Sequence, residues 1–206
     1  KKEVKMNSGV FYLNHFEPEF ACMHERRIGQ MGDGGKWICD PYRIIQKKNN
    51  SNNMMGGEGE DGCLVYSIGS NNDFSFENFV YSEISQDCEI HTFDPGNYSK
   101  GAEKAGVNYH QYYVGLDEGE SSKSMKTIVE ELGHQGRTID IFKIDCEGCE
   151  WVTAEHWFDA PVFIRQIQVE VHDVKMRATP KFFDDMWHNH YVITHKEPNI
   201  PFPGAV

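Results

Sequence analysis

Positive charge is scarce in this chain. Twenty Lys and Arg stand against 32 Asp and Glu, giving a formal net charge of −12, which repels a phosphate backbone and lacks the basic footprint of a nucleic-acid binder. Long apolar runs are missing too: none approaches the roughly 20 residues that cross a bilayer. The opening Lys1-Lys2-Glu3-Val4-Lys5 does not read as a signal peptide. We therefore expect neither a nucleic-acid partner nor membrane contact within this sequence. With 206 residues, 39% of them hydrophobic, there is enough material for one soluble domain with a sizeable core.

Six cysteines, at 22, 39, 63, 88, 146 and 149, leave the redox compartment open. Cys63 and Cys88 lie in apolar strand-like runs and read as small buried hydrophobes. Cys22 and Cys39 flank an irregular N-terminal region and are open to bridging. Cys146 and Cys149 have the C-x-x-C spacing of a redox or zinc half-site, but no second pair lies at finger-like distance. The sequons at Asn49 and Asn97 permit a secretory setting. Secretory or extracellular residence is slightly favoured over cytoplasmic.

Two regimes divide the chain, an N-terminal extension over 1–62 and a regular domain over 63–206. In the first we expect a helix over Glu17–Ile28, a break at Gly29-Gln30-Met31-Gly32-Asp33-Gly34-Gly35 and a short strand at Lys36–Cys39. A mobile loop over Gln46–Gly62 completes it, its polar composition offering little to offset ordering entropy. In the second, expected strands at Cys63–Ile68, Cys88–Phe93, Val107–Val114, Ile139–Ile144, Phe163–Val171 and Tyr191–His195 alternate with helices. Those helices fall at Phe74–Ser85, Tyr98–Ala105, Ser122–Leu132, Cys149–Phe158 and Pro180–Asn189. Met125, Ile128, Val129 and Leu132 share one helical face, and Gly133 follows as a stop. This alternation predicts an α/β fold: a mostly parallel, Rossmann-like sheet with helices on both faces. Trp151, Trp157 and Trp187 are expected in the core or in helix packing, and Trp37 near a pocket lid.

In open α/β sheets ligands bind beyond the carboxyl ends of the strands. Three such ends carry Gly69, Asp94 and Asp145. At Gly69 the backbone can approach a ligand, and the following helix N-terminus offers amides to a carboxylate. Ser70, Asn71 and Asp73 add side-chain partners. Asp94, before Pro95, is placed to accept from ribose hydroxyls, while Gly115 and Leu116 end the third strand where adenine is usually enclosed.

Four segments carry a family resemblance. They are Ile68-Gly69-Ser70-Asn71-Asn72-Asp73, Thr92-Phe93-Asp94-Pro95, Phe142-Lys143-Ile144-Asp145-Cys146-Glu147-Gly148-Cys149-Glu150, and Gly32-Asp33-Gly34-Gly35-Lys36-Trp37. Together they resemble the methyltransferase-like protein 24 family, related to the FkbM-type methyltransferases. That resemblance implies the class I methyltransferase fold, S-adenosylmethionine as cofactor and O-methylation of a sugar or other small-molecule hydroxyl, with a small molecule or glycan as acceptor. Two features depart from it: Asn71-Asn72 where family loops carry a further glycine, and a proline-rich tail after Tyr191–His195 that makes a poor final strand.

Methyl transfer to a hydroxyl needs alignment and a destination for the proton. If the strand persists, Asp145 and Glu147 point to one side, and Glu170 and His172 repeat the geometry on the next strand. His172 or a carboxylate can act as general base. Alternatively, Asp145, Glu170 and His172 can hold a divalent cation that acidifies the acceptor. Glu150 is expected to face solvent or favour the helix start. Two rival readings stay open. One is a catalytically silent S-adenosylmethionine-binding module, suggested by the altered loop. The other is an NAD-linked oxidoreductase, which the missing G-x-G-x-x-G after the first regular strand counts against.

Overall fold

The computed structural model describes residues 12, 14–44, 62–172 and 178–198. The expected loop over Gln46–Gly62 falls almost wholly outside the described residues. At the centre is a five-stranded, wholly parallel sheet with order β11-β9-β3-β4-β5. Its strands are β3 (Leu64–Ile68), β4 (Glu89–Phe93), β5 (Asn108–His110), β9 (Ile141–Ile144) and β11 (Ile167–Val169). Every residue of β3 is buried, as the middle strand of a parallel sheet covered on both faces requires.

Alternation along the strands supplies two cores. Leu64, Tyr66, Ile68, Phe142 and Ile144 pack with Met125, Ile128 and Val129 of α3 (Met125–Leu132), with Trp157, and with Phe182 of α5 (Ala178–His188). Val65, Ile90 and Ile141 face the other way. They meet Phe76 and Val80 of α1 (Ser75–Glu83), together with Ile28 and Ile38. α2 (Ser99–Ala105) links β4 to β5, and α4 (Glu150–Thr153) continues into a 3-10 turn over Ala154–Asp159. Ser124 caps α3 by accepting from Thr127 N, and Gly133 ends it in the left-handed conformation.

Several expectations are corrected. No helix spans Glu17–Ile28; the segment ends in β1 (Glu25–Ile28), which pairs antiparallel with β2 (Lys36–Cys39). A Cys22–Cys39 disulfide fixes the hairpin, and Ile28 and Ile38 sink into the core. Long strands are interrupted: Tyr113–Val114 (β6) leaves the main sheet to pair with Ser122–Lys123 (β7), and Thr138–Ile139 (β8) with Phe163–Ile164 (β10). The residues of Tyr191–His195 form no strand. Ile193 O instead accepts from Glu19 N at 2.8 Å, and His195 stacks on Trp37 with ring centroids 4.4 Å apart. Trp157 is fully buried as expected, but Trp187 is 58% exposed.

Cys63 and Cys88 are buried but also bonded to each other. The register Leu64↔Glu89 brings the residues just before two paired strands together, with Cα atoms 4.5 Å apart. Cys146 and Cys149 form a third disulfide, closing the turn after β9. No described helix is long and apolar enough to cross a membrane.

Candidate active site

The carboxyl ends of β4, β3, β9 and β11 open into one cleft of about 2530 Å³. The strand order reverses between β3 and β9, and residues at both strand ends line the cleft. Gly69 closes β3 with φ of +80°, and a Cβ there would stand 1.7 Å from the Asp145 carbonyl oxygen. Backbone meets backbone, so no side chain fits. Asn71 and Asn72 follow at φ of 44° and 65°. Asparagine tolerates this region better than other non-glycine residues, which is how the loop turns without its further glycine.

Asp94 holds that loop. Its Oδ2 accepts from Ser70 N and Asn71 N, each at 2.9 Å, and its Oδ1 from Gly96 N at 2.8 Å. Asp73 accepts from Ser75 N at 2.8 Å and from Gln30 Nε2 at 2.9 Å. The glycine-rich turn between β1 and β2 is thereby tied to the loop after β3. Ser70 Oγ is buried without a hydrogen-bond partner among the described residues. Pro95 also lines the cleft, as do Tyr112, Tyr113 and Val114. Gly115 and Leu116 are outside its lining, and Leu116 is 54% exposed.

At the acidic end the decisive residue is Lys36, which the sequence marks as part of a glycine-rich motif and the start of a short strand but not as a site residue. β2 carries its ammonium between two carboxylates, donating to Asp145 Oδ2 at 3.1 Å and Glu170 Oε2 at 2.7 Å. Burial works against its charge, yet Asp145 and Glu170 outweigh burial and raise its pKa. Asp145 is held below the usual carboxylate range because Lys36 and Lys143 together overcome its own desolvation. Lys143, buried under the loop, donates to Gly69 O at 2.9 Å. Desolvation lowers its pKa, opposed by Glu77.

His172 joins this group from beyond β11. Its Nε2 lies 3.6 Å from Asp145 Oδ1, 3.7 Å from Glu147 Oε2 and 4.0 Å from Glu170 Oε1. Glu150, fully buried rather than facing solvent, accepts from His172 N at 2.6 Å and from Gly148 N at 3.0 Å, with Nδ1 of His172 3.3 Å away. Bonding to Glu150 raises the pKa of His172 to about 9, so the ring is an imidazolium at neutral pH. It has no lone pair to offer a substrate proton in that state. Asp145 and Glu147 do not share a side, because the strand ends at Ile144 and Glu147 turns out at φ of 56° with its side chain 89% exposed.

A family model described as a methyltransferase domain matches residues 2–205. The chain belongs to this methyltransferase family. No curated protein and no solved structure matches it. Family membership and the parallel sheet together make methyl transfer its chemistry and a Rossmann-like methyltransferase fold its frame. Within that frame the β1–β2 hairpin belongs to the site, since it contributes both Lys36 and the Gln30 contact to Asp73.

Proposed function

We propose that the chain is an S-adenosylmethionine-dependent O-methyltransferase acting on a hydroxyl of a sugar or other small molecule. The observation that carries this reading is the adjacency of the Gly69 cradle and the Lys36-centred acidic cluster in one cleft. The cradle fits the cofactor at Ser70, whose buried, unpartnered Oγ is a donor in want of an acceptor, while Gly69 lets the loop after β3 pack directly on the Asp145 carbonyl. Asp94 keeps capacity for a further hydrogen bond, since a carboxylate offers about four acceptor sites and three are used by Ser70, Asn71 and Gly96.

When bound, the cofactor supplies an electrophilic methyl group on a sulfonium. Asp145 and Glu170 then orient the acceptor hydroxyl, and one of them takes the proton that the hydroxyl must lose. Lys36 and the His172 imidazolium balance the carboxylates and fix their direction. Asp145, Glu170 and His172 are also the residues that would hold a divalent cation. Lys36 Nζ already stands between the two carboxylates as their counter-charge, so we favour proton transfer to a carboxylate over metal-assisted acidification.

Three disulfides support residence in an oxidising, secretory or extracellular setting. Titration calorimetry with S-adenosylhomocysteine and with NAD tests the cofactor, and binding of NAD alone would sink the proposal. A labelled-methyl assay over hydroxyl acceptors tests the reaction. Tight cofactor binding without turnover on any acceptor would favour the silent module.

A further inference from the structure

At the opposite end of the sheet, outside the lining of the cleft, Glu89 and His91 of β4 meet His134 from the turn after α3. One oxygen organises them: Glu89 Oε1 lies 2.9 Å from His91 Nε2 and 3.1 Å from His134 Nε2. The two imidazole rings are nearly perpendicular, at 81°. We propose that Glu89, His91 and His134 form a divalent-metal site of the two-histidine, one-carboxylate type, with zinc its best-fitting occupant.

Spacing is the first argument. Tetrahedral zinc with bonds of roughly 2.0–2.1 Å sets its ligand atoms about 3.3 Å apart. The two carboxylate–imidazole spacings need grow by only a few tenths of an ångström, and one ligand atom from each of the three residues lies within 4.8 Å of the others. The second argument is the surrounding shell, because metal-bound histidines pass their other ring nitrogen to a fixed partner. His134 Nδ1 is 2.8 Å from Tyr66 Oη, His91 Nδ1 is 2.8 Å from His110 Nε2, and Glu89 Oε2 accepts from Arg137 at 2.7 Å. Each of the three ligands is therefore oriented from behind.

Proton bookkeeping permits the exchange. Without metal, both Nε2–H groups donate to Glu89, while Tyr66 and His110 donate to the two Nδ1 atoms. With metal, the ring protons shift to Nδ1: His134 then donates to Tyr66 Oη and His91 to His110 Nε2, whose own proton moves to its Nδ1. No proton leaves the cluster. Burial also lowers the pKa of His91 and His134, keeping them neutral as ligation requires. His91 and His134 are buried, whereas the Glu89 side chain is 38% exposed, so the metal would keep an open position toward water. Such an ion would clip β4 to the α3–β8 turn.

The test is zinc titration calorimetry on the chelator-treated, tag-free full chain at pH 7.5. We expect one zinc per chain, a Tm rise of about 5–10 °C at zinc a hundredfold above its dissociation constant, and at least tenfold weaker binding in His91→Gln and in His134→Gln. His172→Gln should leave zinc affinity unchanged. Should the glutamine variants not fold, X-ray absorption of the zinc-loaded wild type decides, with two imidazoles and oxygen ligands expected. No binding overturns the proposal, as does binding that disappears in His172→Gln but survives in His91→Gln and His134→Gln. Sulfur in the zinc shell overturns it too. Zinc binding that depends on His172 would instead place the metal on Asp145, Glu170 and His172 in the cleft and favour metal-assisted acidification there; the other outcomes leave the reading of the cleft untouched.

Discussion

Asp94 offers the sharpest test of how the loop after β3 is built and of its proposed part in cofactor binding. Its carboxylate accepts three backbone amides, from Ser70, Asn71 and Gly96, and Asp94→Ala strands all three in a place that is 8% exposed. Hydrogen bonds to a charged group are worth about 1.5–3 kcal/mol each, but they are not additive when a loop can relax toward water. A net loss of about 2–4 kcal/mol is therefore expected, and at this chain length it corresponds to a Tm fall of roughly 5–15 °C. Asp94→Asn keeps a carbonyl for Ser70 and Asn71 but points an amide at Gly96 N, so it should cost about half as much. Differential scanning fluorimetry reads the first effect. Calorimetry with S-adenosylhomocysteine reads the second: affinity in Asp94→Ala should fall by about 10- to 100-fold, the loss of a preformed loop being added to the loss of a ribose acceptor. If Asp94→Ala melts within a degree or two of wild type and binds the product cofactor equally well, the loop is not held as described.

Lys36→Met removes the counter-charge shared by Asp145 and Glu170 and should abolish methyl transfer while reducing stability at pH 7 by about 1–3 kcal/mol, much of it regained on acidification in a melting series. The wild type should behave oppositely: Asp145 is depressed in the folded state, so its contribution is full above its ordinary value near 4 and disappears as pH falls below it. His172 is raised to about 9, so it stabilises most below its unfolded value near 6.5 and loses that contribution as pH climbs through 9; His172→Gln should flatten the melting curve over that window. The Cys63→Ala, Cys88→Ala double variant opens a link of sequence separation 25 and should lose about 3–4 kcal/mol in denaturant unfolding.

The parallel sheet was legible because its signals are local. β3, β4 and β9 are short apolar runs closed by Gly69, Asp94 and Asp145, and Gly133 stops α3 where the helical period ends. What could not be read depends on partners distant in the chain. Glu25–Ile28 has the composition of a helix, but pairing with β2 and a disulfide to Cys39 decide its state. Cys63 and Cys88 look like ordinary buried residues until the register of β3 on β4 sets them side by side. Glu150 looks like a helix-start acid, yet the turn closed by Cys146–Cys149 delivers it to His172.

Lys36 shows why the acidic cluster needs the extension that covers it. Two carboxylates from neighbouring parallel strands, Asp145 after β9 and Glu170 after β11, approach each other because those strands pair in register up to Ile144↔Val169. Like charges at such range destabilise one another, and one would be driven to take up a proton. The sheet supplies Lys143, but that ammonium is committed to Gly69 O and faces Glu77. Beside the His172 imidazolium, the counter-charge that bonds both carboxylates comes from β2, more than a hundred residues away in sequence. Lys36 reaches it only because Ile28 and Ile38 anchor the hairpin in the core and Gln30 fastens its turn to Asp73. The hairpin thus couples the loop after β3 to the charge state of Asp145 and Glu170, and displacing it would disturb both together.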